Sequence, residues 1–374
     1  MTAFQKAARV YRGFALLFLN TVLIGLIVAG VVMLISRFRR VEEPENPLTK
    51  YGLAVLQPMY PGRSVAEITA LLNENWRRPL MYEPYTQFTE APFQGRFVNI
   101  TEAGYRAVTD QGPWPPTKEN LNVFVFGGST TFGYGVTDGE TIPSALQGRL
   151  KASSPRRICV YNFGRAHYYS SQERILFGNL LAAGLVPEVA VFIDGLNEFY
   201  YRNDAPEYSF ELRFAVNQSF PSSRKRPEEE IWANLMRQIT PISRFATLGP
   251  ELADGICHRY LRNREMIEGM AKARGIKTVF VWQPVPTYKF DRKFHPFAEK
   301  DFGRHGVSGE GYHRMAQWRQ TNAPATNELW LADMQENASE PLYVDAVHYS
   351  PKMCSLIANE IAPMVQERLL SSQR

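Results

Sequence analysis

The pattern of hydrophobic and polar residues first marks out one long apolar segment. Residues 13–36 contain no charged side chain and consist mostly of Leu, Val, Ile, Phe, Ala and Gly. At about 1.5 Å per residue, a helix of this length spans a hydrocarbon core of about 30 Å. A signal-peptide core is usually shorter, and no small-x-small cleavage pattern follows this one. We therefore predict an uncleaved transmembrane helix, with residues 1–40 as the anchor and its flanks, rather than a buried core helix.

Residues 41–116 show no such regular pattern. Acidic residues and prolines up to residue 60 are typical of a stalk, and residues 64–74 have the pattern of a short helix. Residues 80–116 carry many aromatic residues and prolines without a regular period. We interpret 41–116 as a stalk followed by an irregular lead-in that lies over the main domain.

From about residue 121, short apolar runs alternate with helical segments, which is typical of βαβ units and a parallel sheet. An insertion at 199–250 interrupts this alternation, with a helix expected near 228–239. The last helix has Ser350 as its N-cap and Pro351 at its first position. We therefore treat 117–374 as one α/β domain. The predicted strands are 122–126, 158–161, 189–193, 277–282 and 342–344, and the other predicted helices are 141–152, 170–183, 251–273 and 309–320.

The distribution of charge argues against a nucleic-acid partner. The formal net charge is +5, but six basic residues flank the apolar segment, and removing these six charges leaves −1 for the rest. The basic balance therefore belongs to the anchor, where it meets anionic headgroups. Three basic residues lie on each side of the apolar segment, so the positive-inside rule gives nearly equal weight to the two orientations. Because a long domain behind a single N-terminal anchor is usually translocated, we expect a single-pass protein with an extracytoplasmic domain. The six residues are Lys6, Arg9, Arg12, Arg37, Arg39 and Arg40.

The spacing of cysteine and histidine predicts neither disulfides nor a metal site. Cys159, Cys257 and Cys354 are odd in number and widely spaced, which does not fit a disulfide framework. The sequence contains no CxxC and no HExxH pattern. We expect the protein to need no cofactor and no metal.

One serine directly follows a predicted buried strand. Ser129 comes after Gly127 and Gly128, which allow a sharp turn and leave room beside the hydroxyl. If a helical turn begins there, its free N–H groups point to where negative charge develops during acyl transfer. Structural and phosphate-binding turns are alternatives for this fragment, but it lacks the ending of a P-loop and the G-x-S-x-G spacing. Ser129 is therefore a candidate nucleophile that needs a base.

Asp345 and His348 supply a candidate acid–base pair near the C-terminus. A serine becomes a good nucleophile when a base takes its proton, and that base needs an orienting carboxylate. A separation of three residues, between a predicted strand and a capped helix, lets the two side chains contact each other. The alternative is a surface aspartate with a histidine that packs near the helix start.

Two more turns at strand ends offer hydrogen-bond donors. Gly164 ends the second predicted strand and Asn197 follows the third. An acyl-transfer site needs donors aimed at the tetrahedral oxyanion. The Gly164 N–H and the Asn197 side-chain amide are candidates, beside the N–H of Ser129, although either turn alone is ordinary loop chemistry.

In chain order, these pieces resemble the four sequence blocks of the SGNH hydrolase superfamily, the GDSL-like esterases and lipases. The blocks are Gly-Gly-Ser129, Gly164, Gly195-x-Asn197 and Asp345-x-x-His348, and the resemblance covers 121–374. It implies a three-layer α/β/α, flavodoxin-like domain with a five-stranded parallel sheet. It further implies Ser129 as nucleophile, His348 as base and then acid, Asp345 as orienting group, and an oxyanion hole of Gly164, Asn197 and the Ser129 amide.

The sequence departs from the superfamily pattern at two positions. The usual Gly-Asp-Ser is Gly-Gly-Ser here, and the usual Gly-x-Asn-Asp ends in Glu198. Neither position carries the acyl chemistry that the resemblance implies, so the departures affect the pocket and its loops rather than the triad.

Side chains after the strands are candidates for a substrate wall. We predict that Tyr168, Phe199, Tyr200 and Gln283 line the cleft, with core and loop packing as the alternative for the aromatic residues. For His167, packing or exposure to solvent is favoured over a place in the cleft.

The resemblance implies a serine esterase or deacylase that acts on an O-acylated glycan or lipid at the membrane surface. One alternative is an O-acyltransferase that passes the acyl group to a glycan with the same triad. A second is a non-catalytic, membrane-tethered binding protein that keeps the fold. Residues 13–36 would hold any of the three at the membrane.

Overall fold

The computed structural model describes residues 3–38, 46–206, 209, 212, 247–297 and 302–371. They belong to two compact units, of which the first ends at Glu45 and the second begins at Asn46. The first unit contains helix α1 (Ala3–Phe38). Its stretch Tyr11–Val31 has a mean hydropathy of 2.5 with none of it buried, and is long and apolar enough to cross a membrane.

The lead-in of the second unit contains short helices and two short hairpins, and residues 101–116 carry no helix or strand. Its longest helix, α4, begins behind Ser64, whose hydroxyl accepts from the Glu67 N–H in a capping box. This confirms the short helix predicted at 64–74. Residues 46–116 also belong to the same compact unit as the main sheet. Their elements are α2 (Pro47–Tyr51), α3 (Leu53–Leu56), a 3₁₀ turn (Gln57–Met59), α4 (Val65–Trp76), and two hairpins of β1 (Leu80–Glu83) with β2 (Gln87–Glu90) and β3 (Phe93–Gln94) with β4 (Asn99–Ile100).

The centre of the second unit is a five-stranded parallel sheet. Its strands are β5 (Leu121–Gly127), β6 (Ile158–Gly164), β7 (Val189–Asp194), β8 (Lys277–Trp282) and β9 (Glu328–Trp330), in the spatial order β6-β5-β7-β8-β9. Every neighbouring pair is parallel. The order reverses beside β5, and ligands of such sheets bind outside the carboxyl ends of the strands at this reversal. The predicted five-stranded parallel sheet is confirmed.

Helices cover both faces of this sheet and complete three layers. Alternate residues of the strands point to opposite faces, so one face is aliphatic, with Val123 and Val191, and the other aromatic, with Phe124 and Phe192. Helices α6 (Ile142–Leu150) and α10 (Pro351–Ser371) pack on the aliphatic face. Helices α7 (Ser170–Ala182) and α8 (Pro250–Ala273) pack on the aromatic face, and α9 (Ser308–Thr321) packs beyond the end of β8.

The fifth strand was predicted at the wrong place. Tyr343 makes only an isolated antiparallel bridge with Tyr349, so 342–344 is not a strand of the sheet. The edge strand is β9, which has three half-buried residues. Its Glu328 forms ion pairs with Arg264 and Arg319. A strand this short that begins with a charged residue lacks the apolar run on which the prediction depended.

The insertion is described only at its two ends. The helix predicted near 228–239 lies outside the described residues.

The last helix begins as predicted, because the Ser350 hydroxyl accepts from the Met353 N–H at 3.3 Å, ahead of α10.

Candidate active site

Ser129, the candidate nucleophile, is placed by a strand that leads into two glycines. Strand β5 is completely buried and leads through Gly128 into the short helix α5 (Ser129–Phe132). As the first helical residue, Ser129 has an N–H without an acceptor inside the helix. A Cβ atom on Gly128 would stand 2.5 Å from Asn197 Nδ2 and 3.0 Å from the Tyr168 carbonyl oxygen. A glycine at this position therefore allows Asn197 to approach the serine.

Ser129, His348 and Asp345 form one chain of hydrogen bonds. Ser129 Oγ lies 2.9 Å from His348 Nε2, and His348 Nδ1 lies 2.7 Å from Asp345 Oδ2. The other carboxylate oxygen, Asp345 Oδ1, accepts the backbone N–H groups of Val347 at 2.8 Å and His348 at 2.7 Å. The structure thus brings together three residues that are up to 219 positions apart in the chain.

The carboxylate of Asp345, at the end of this chain of hydrogen bonds, is held in its charged form. Burial by itself would raise the pKa of Asp345. The opposing effects are the charge of His348 and the hydrogen bonds from His348 and Val347, which bring the pKa down to about 2. An ionised Asp345 fixes the proton on His348 Nδ1 and leaves Nε2 to accept the proton of the serine.

Asn197, the candidate oxyanion donor, lies beside Gly128. Its Nδ2 donates one hydrogen bond to the Tyr168 carbonyl oxygen at 2.8 Å, which orients the amide beside Gly128. A carboxamide has two N–H donors, so the second remains for a tetrahedral intermediate at Ser129.

The N–H of Gly164, which is predicted as an oxyanion donor, has an acceptor within the protein. Its N–H donates to Asn162 Oδ1 at 3.0 Å. A Cβ atom at Gly164 would collide with the backbone of Thr131 and Phe132. This glycine therefore lets β6 pack closely against the helix that carries the nucleophile, and the sequence resemblance alone did not distinguish this packing role from donation.

Three of the four predicted wall residues are buried. Tyr168 is in the aromatic core and donates its hydroxyl to Phe88 O, and Phe199 packs against Gly311 and Trp282. Gln283 is buried beneath the nucleophile, where its Oε1 accepts hydrogen bonds from two hydroxyl groups. The donors are Thr130 at 2.7 Å and Tyr349 at 2.9 Å.

Tyr200 is the fourth wall residue, and it is half-buried. Its ring lies 4.8 Å from the ring of His305 and 6.1 Å from that of His167. His167 also packs edge-on against the Phe88 ring, with 6.3 Å between the centroids, which agrees with the packing favoured for it.

The lead-in adds side chains that the sequence did not single out. Trp76 and Tyr134 contact the His348 ring, with ring centroids 5.7 and 5.4 Å away. A buried ion pair of Arg78 and Glu90, at 3.3 Å, lies behind them. Glu90 also accepts from the Tyr134 hydroxyl at 3.3 Å and the Ala166 N–H at 3.0 Å. No sequence signal identifies Trp76, because its contact with His348 exists only after folding.

A buried arginine, Arg106, also supports the site. Arg106 has no exposed surface and donates to the carbonyl oxygens of Phe132, Gly133 and Val136 at 2.7–3.0 Å. Asp138 accepts from Arg106 Nε at 2.8 Å. The guanidinium therefore holds the carbonyl end of α5, directly after the nucleophile.

Within the described ranges, no group of three or more His, Cys, Asp or Glu side chains has a geometry that suits a metal ion. Cys159, Cys257 and Cys354 are buried thiols. The groups positioned around Ser129 are those of nucleophilic acyl chemistry.

The chain matches no protein-family model and no curated protein sequence. Its matches among solved structures include a putative lipolytic protein of the G-D-S-L family from Desulfitobacterium hafniense, with 13% identity over 66% of this chain and 99% of that chain, at a TM-score of 0.36. A catalytic mutant of an acetylxylan esterase from Geobacillus stearothermophilus matches with 14% identity over 68% and 95% of the two chains, at a TM-score of 0.36.

A gut microbial diltiazem-metabolizing enzyme also matches, with 15% identity over 67% of this chain and a TM-score of 0.40. The chain spans about half of that enzyme's length, 47%. Since all three likenesses have low identity and low TM-scores, we base the proposed function on the geometry of the site.

Proposed function

We propose that this protein is a serine esterase or deacylase of the SGNH type that cleaves an O-acyl group with Ser129, His348 and Asp345. The observation that carries the proposal is the continuous hydrogen-bond chain from Ser129 Oγ through both ring nitrogens of His348 to Asp345 Oδ2, at 2.9 and 2.7 Å. Geometry of this kind, rather than sequence position, is the mark of a catalytic triad.

The reaction proceeds in two halves. Ser129 Oγ attacks the ester carbonyl carbon while His348 Nε2 takes its proton, and the carbonyl oxygen becomes an oxyanion near Asn197 Nδ2 and the Ser129 N–H. Collapse of the tetrahedral intermediate then breaks the bond between the carbonyl carbon and the alcohol oxygen, and that oxygen receives the proton from His348. Water then attacks the acyl-serine while His348 takes its proton. The bond between the acyl carbon and Ser129 Oγ breaks, His348 returns the proton to Oγ, and the carboxylic acid leaves.

Labelling with a fluorophosphonate probe tests this proposal. We expect the wild type to be labelled, and Ser129→Ala and His348→Ala not to be. Ser153→Ala is the matched control, because its hydroxyl is occupied by the Leu150 carbonyl oxygen at 2.7 Å and it should label like the wild type. If folded wild type is not labelled, the esterase proposal fails and a tethered binding protein takes its place.

We also propose that α1 anchors the protein in a membrane and that the catalytic domain is extracytoplasmic. The support is the apolar stretch Tyr11–Val31, in which Arg12 is the only charged residue and after which no charge follows before Arg37. Extraction with alkaline carbonate and sequencing of the mature N-terminus test the anchor. Retention in the membrane with residues 1–40 intact is expected, whereas a soluble product cleaved after the helix would identify a signal sequence.

A further inference from the structure

A buried carboxylate directly follows the candidate oxyanion donor in the chain. It belongs to Glu198, the neighbour of Asn197, and its side chain has no exposed surface. Glu198 Oε1 accepts the backbone N–H of Ser170, the first residue of α7, at 2.7 Å. The N-cap of that helix is Tyr169, whose hydroxyl donates to Asp204 instead. Glu198 therefore supplies an acceptor at a helix start, where the helix dipole also favours a negative charge.

The hydrogen bond from Ser170 to Glu198 joins the same two segments that meet at the Asn197 amide. Asn197 Nδ2 donates to the Tyr168 carbonyl oxygen at 2.8 Å, two residues before Ser170. The segments 168–170 and 197–198 are thus connected at two neighbouring points, once through the amide and once through the carboxylate. Without the second connection, the amide would be the only one of these two side-chain bonds that holds the segments together.

A guanidinium holds the turn that carries Asn197. Arg259, in α8, donates from Nη2 to the Glu198 carbonyl oxygen and from Nη1 to the Tyr201 carbonyl oxygen, each at 2.7 Å. Arg259 Nη2 also lies 3.5 Å from Glu198 Oε2. The Asn197 carbonyl oxygen accepts the N–H groups of Tyr200 at 3.2 Å and Tyr201 at 3.4 Å. Because a guanidinium is a rigid fork of donors, its two bonds to carbonyl groups fix the shape of this turn.

Positioning explains the pair of Glu198 and Arg259 better than stability does. A buried ion pair gains little stability, because the loss of hydration offsets much of the attraction, but it favours one arrangement of the groups around it. An oxyanion donor needs such an arrangement, since it acts only in the geometry of the tetrahedral intermediate. The departure from the superfamily pattern at this position keeps a carboxylate and lengthens its side chain by one methylene group.

We infer that Glu198 and Arg259 are positioning residues, which hold the Asn197 amide towards the oxyanion that forms at Ser129. The inference rests on the proposed esterase function and assigns to that reaction two residues that act through Asn197 rather than on the substrate.

Kinetics of the full chain in detergent with p-nitrophenyl acetate test the inference. We expect Glu198→Ala and Arg259→Met each to lower kcat about ten- to thirtyfold, which is less than the roughly 10²–10³ expected for loss of the donor itself. KM should stay within about twofold of wild type, because the interaction is made in the transition state. Glu198→Gln keeps an oxygen for the Ser170 N–H and should retain most of the wild-type kcat.

The decisive measurement combines Glu198→Ala with Asn197→Ala. A residue that acts only through the amide has nothing left to position once the amide is gone, so the second substitution should lower kcat by less than about twofold further. A structural role would give the same factor with and without Asn197. If Glu198→Ala does not fold in urea denaturation, Arg259→Met takes its place in the same comparison.

Arg264→Gln is the matched control, because it breaks a similarly buried ion pair. The side chains of Arg264 and Glu328 are 12% and 9% exposed, against 14% and 0% for Arg259 and Glu198. Glu328 is the first residue of the edge strand β9. We expect Arg264→Gln to lower the free energy of unfolding and to keep the wild-type kcat.

Four results would overturn the inference while the wild type remains an active esterase. They are a wild-type kcat in folded Glu198→Ala and Arg259→Met, the same loss in the presence and absence of Asn197, a wild-type kcat in Asn197→Ala, and an equal loss of kcat in Arg264→Gln. A wild type that neither cleaves the ester nor takes fluorophosphonate contradicts the esterase function itself, and the positioning role falls with it.

Discussion

The indole ring of Trp76 meets the imidazole ring of His348 edge-on, with 5.7 Å between the ring centroids and an angle of 88° between the planes. Trp76 is the last residue of α4, in the segment that precedes the main sheet. Tyr134, soon after the nucleophile, stacks on the same imidazole at 28°. The position of the base in the candidate triad therefore depends on packing from the lead-in.

Removal of the Trp76 ring should impair catalysis more than stability. An aromatic pair contributes about 0.5–1.5 kcal/mol beyond its buried area, so we expect Trp76→Ala to lower kcat/KM on p-nitrophenyl acetate about tenfold. Trp76→Phe should keep most of the activity because it retains a ring edge. Trp318→Ala, at a half-buried site in α9, is the control for loss of an indole. Equal rates in wild type and Trp76→Ala would show that the ring does not position His348.

Alanine variants of Asn197 and Gly164 should show that the first residue contributes to catalysis and the second to packing. Loss of one oxyanion donor costs about 10²–10³ in kcat, and we expect Asn197→Ala to show a loss of this size while it remains folded. Gly164→Ala should instead lower the free energy of unfolding by about 1–3 kcal/mol, because its Cβ collides with backbone atoms. Esterase kinetics and urea denaturation of both variants check this. A stable Gly164→Ala with the kinetic defect of Asn197→Ala would restore Gly164 as a donor.

Replacement of Arg106 should lower the free energy of unfolding more than replacement of any other single arginine. Arg106→Met removes the buried guanidinium that donates to three backbone carbonyls and to Asp138. We expect a loss of about 3–5 kcal/mol in the free energy of unfolding, as for one partner of a buried ion pair. Arg96→Met is the matched control, since the Arg96 side chain is 66% exposed and its ion pair with Glu67 should contribute under about 1 kcal/mol. Similar losses in the two variants would contradict the role assigned to Arg106.

The charge of Asp345 should stabilise the fold at neutral pH. Its folded pKa of about 2 lies below the unfolded value of about 3.9, so its contribution is present above the unfolded pKa and is lost as the pH falls through both values. Asp345→Asn keeps an oxygen for the Val347 and His348 N–H groups, removes the charge, and replaces the oxygen that faces His348 Nδ1 with an amide NH2. We expect it to cost about 2–3 kcal/mol at pH 7 and progressively less between pH 4 and pH 2. Denaturant titrations across this range measure the difference, and a constant difference would count against the low pKa.

Glu173 should have the opposite dependence on pH. Burial, followed by the charges of Asp194 and Glu198, raises the pKa of Glu173 well above its usual range. A raised folded pKa means that stability is greatest below the unfolded pKa of about 4.3 and falls as the pH rises towards the folded pKa. Glu173→Gln should therefore stabilise the protein at pH 8 relative to wild type and have less effect at pH 4. The exposed Glu360→Gln serves as control, and a destabilised Glu173→Gln at pH 8 would contradict this account.

The sequence by itself determined the elements whose signal is local. Strands β5 to β8 are short apolar runs, because a parallel strand that is buried on both faces needs apolar residues throughout. Ser129 and Asn197 follow strands whose ends in such a sheet meet at one edge, where ligands bind. Asp345 and His348 are indicated by their spacing of three residues ahead of a capped helix. The structure places the side chains of Ser129, His348 and Asp345 within hydrogen-bond distance of one another.

Only the tertiary structure decided which neighbours surround those residues. Whether Gly164 donates or packs depends on how closely β6 approaches α5, and whether Phe199 lines a cleft or a core depends on Gly311, 112 positions later in the chain. The contact of Trp76 with His348 and the short edge strand β9 likewise depend on packing between distant segments. A pattern of hydrophobic and polar residues records which side chains avoid water, but it does not record which distant side chains they meet.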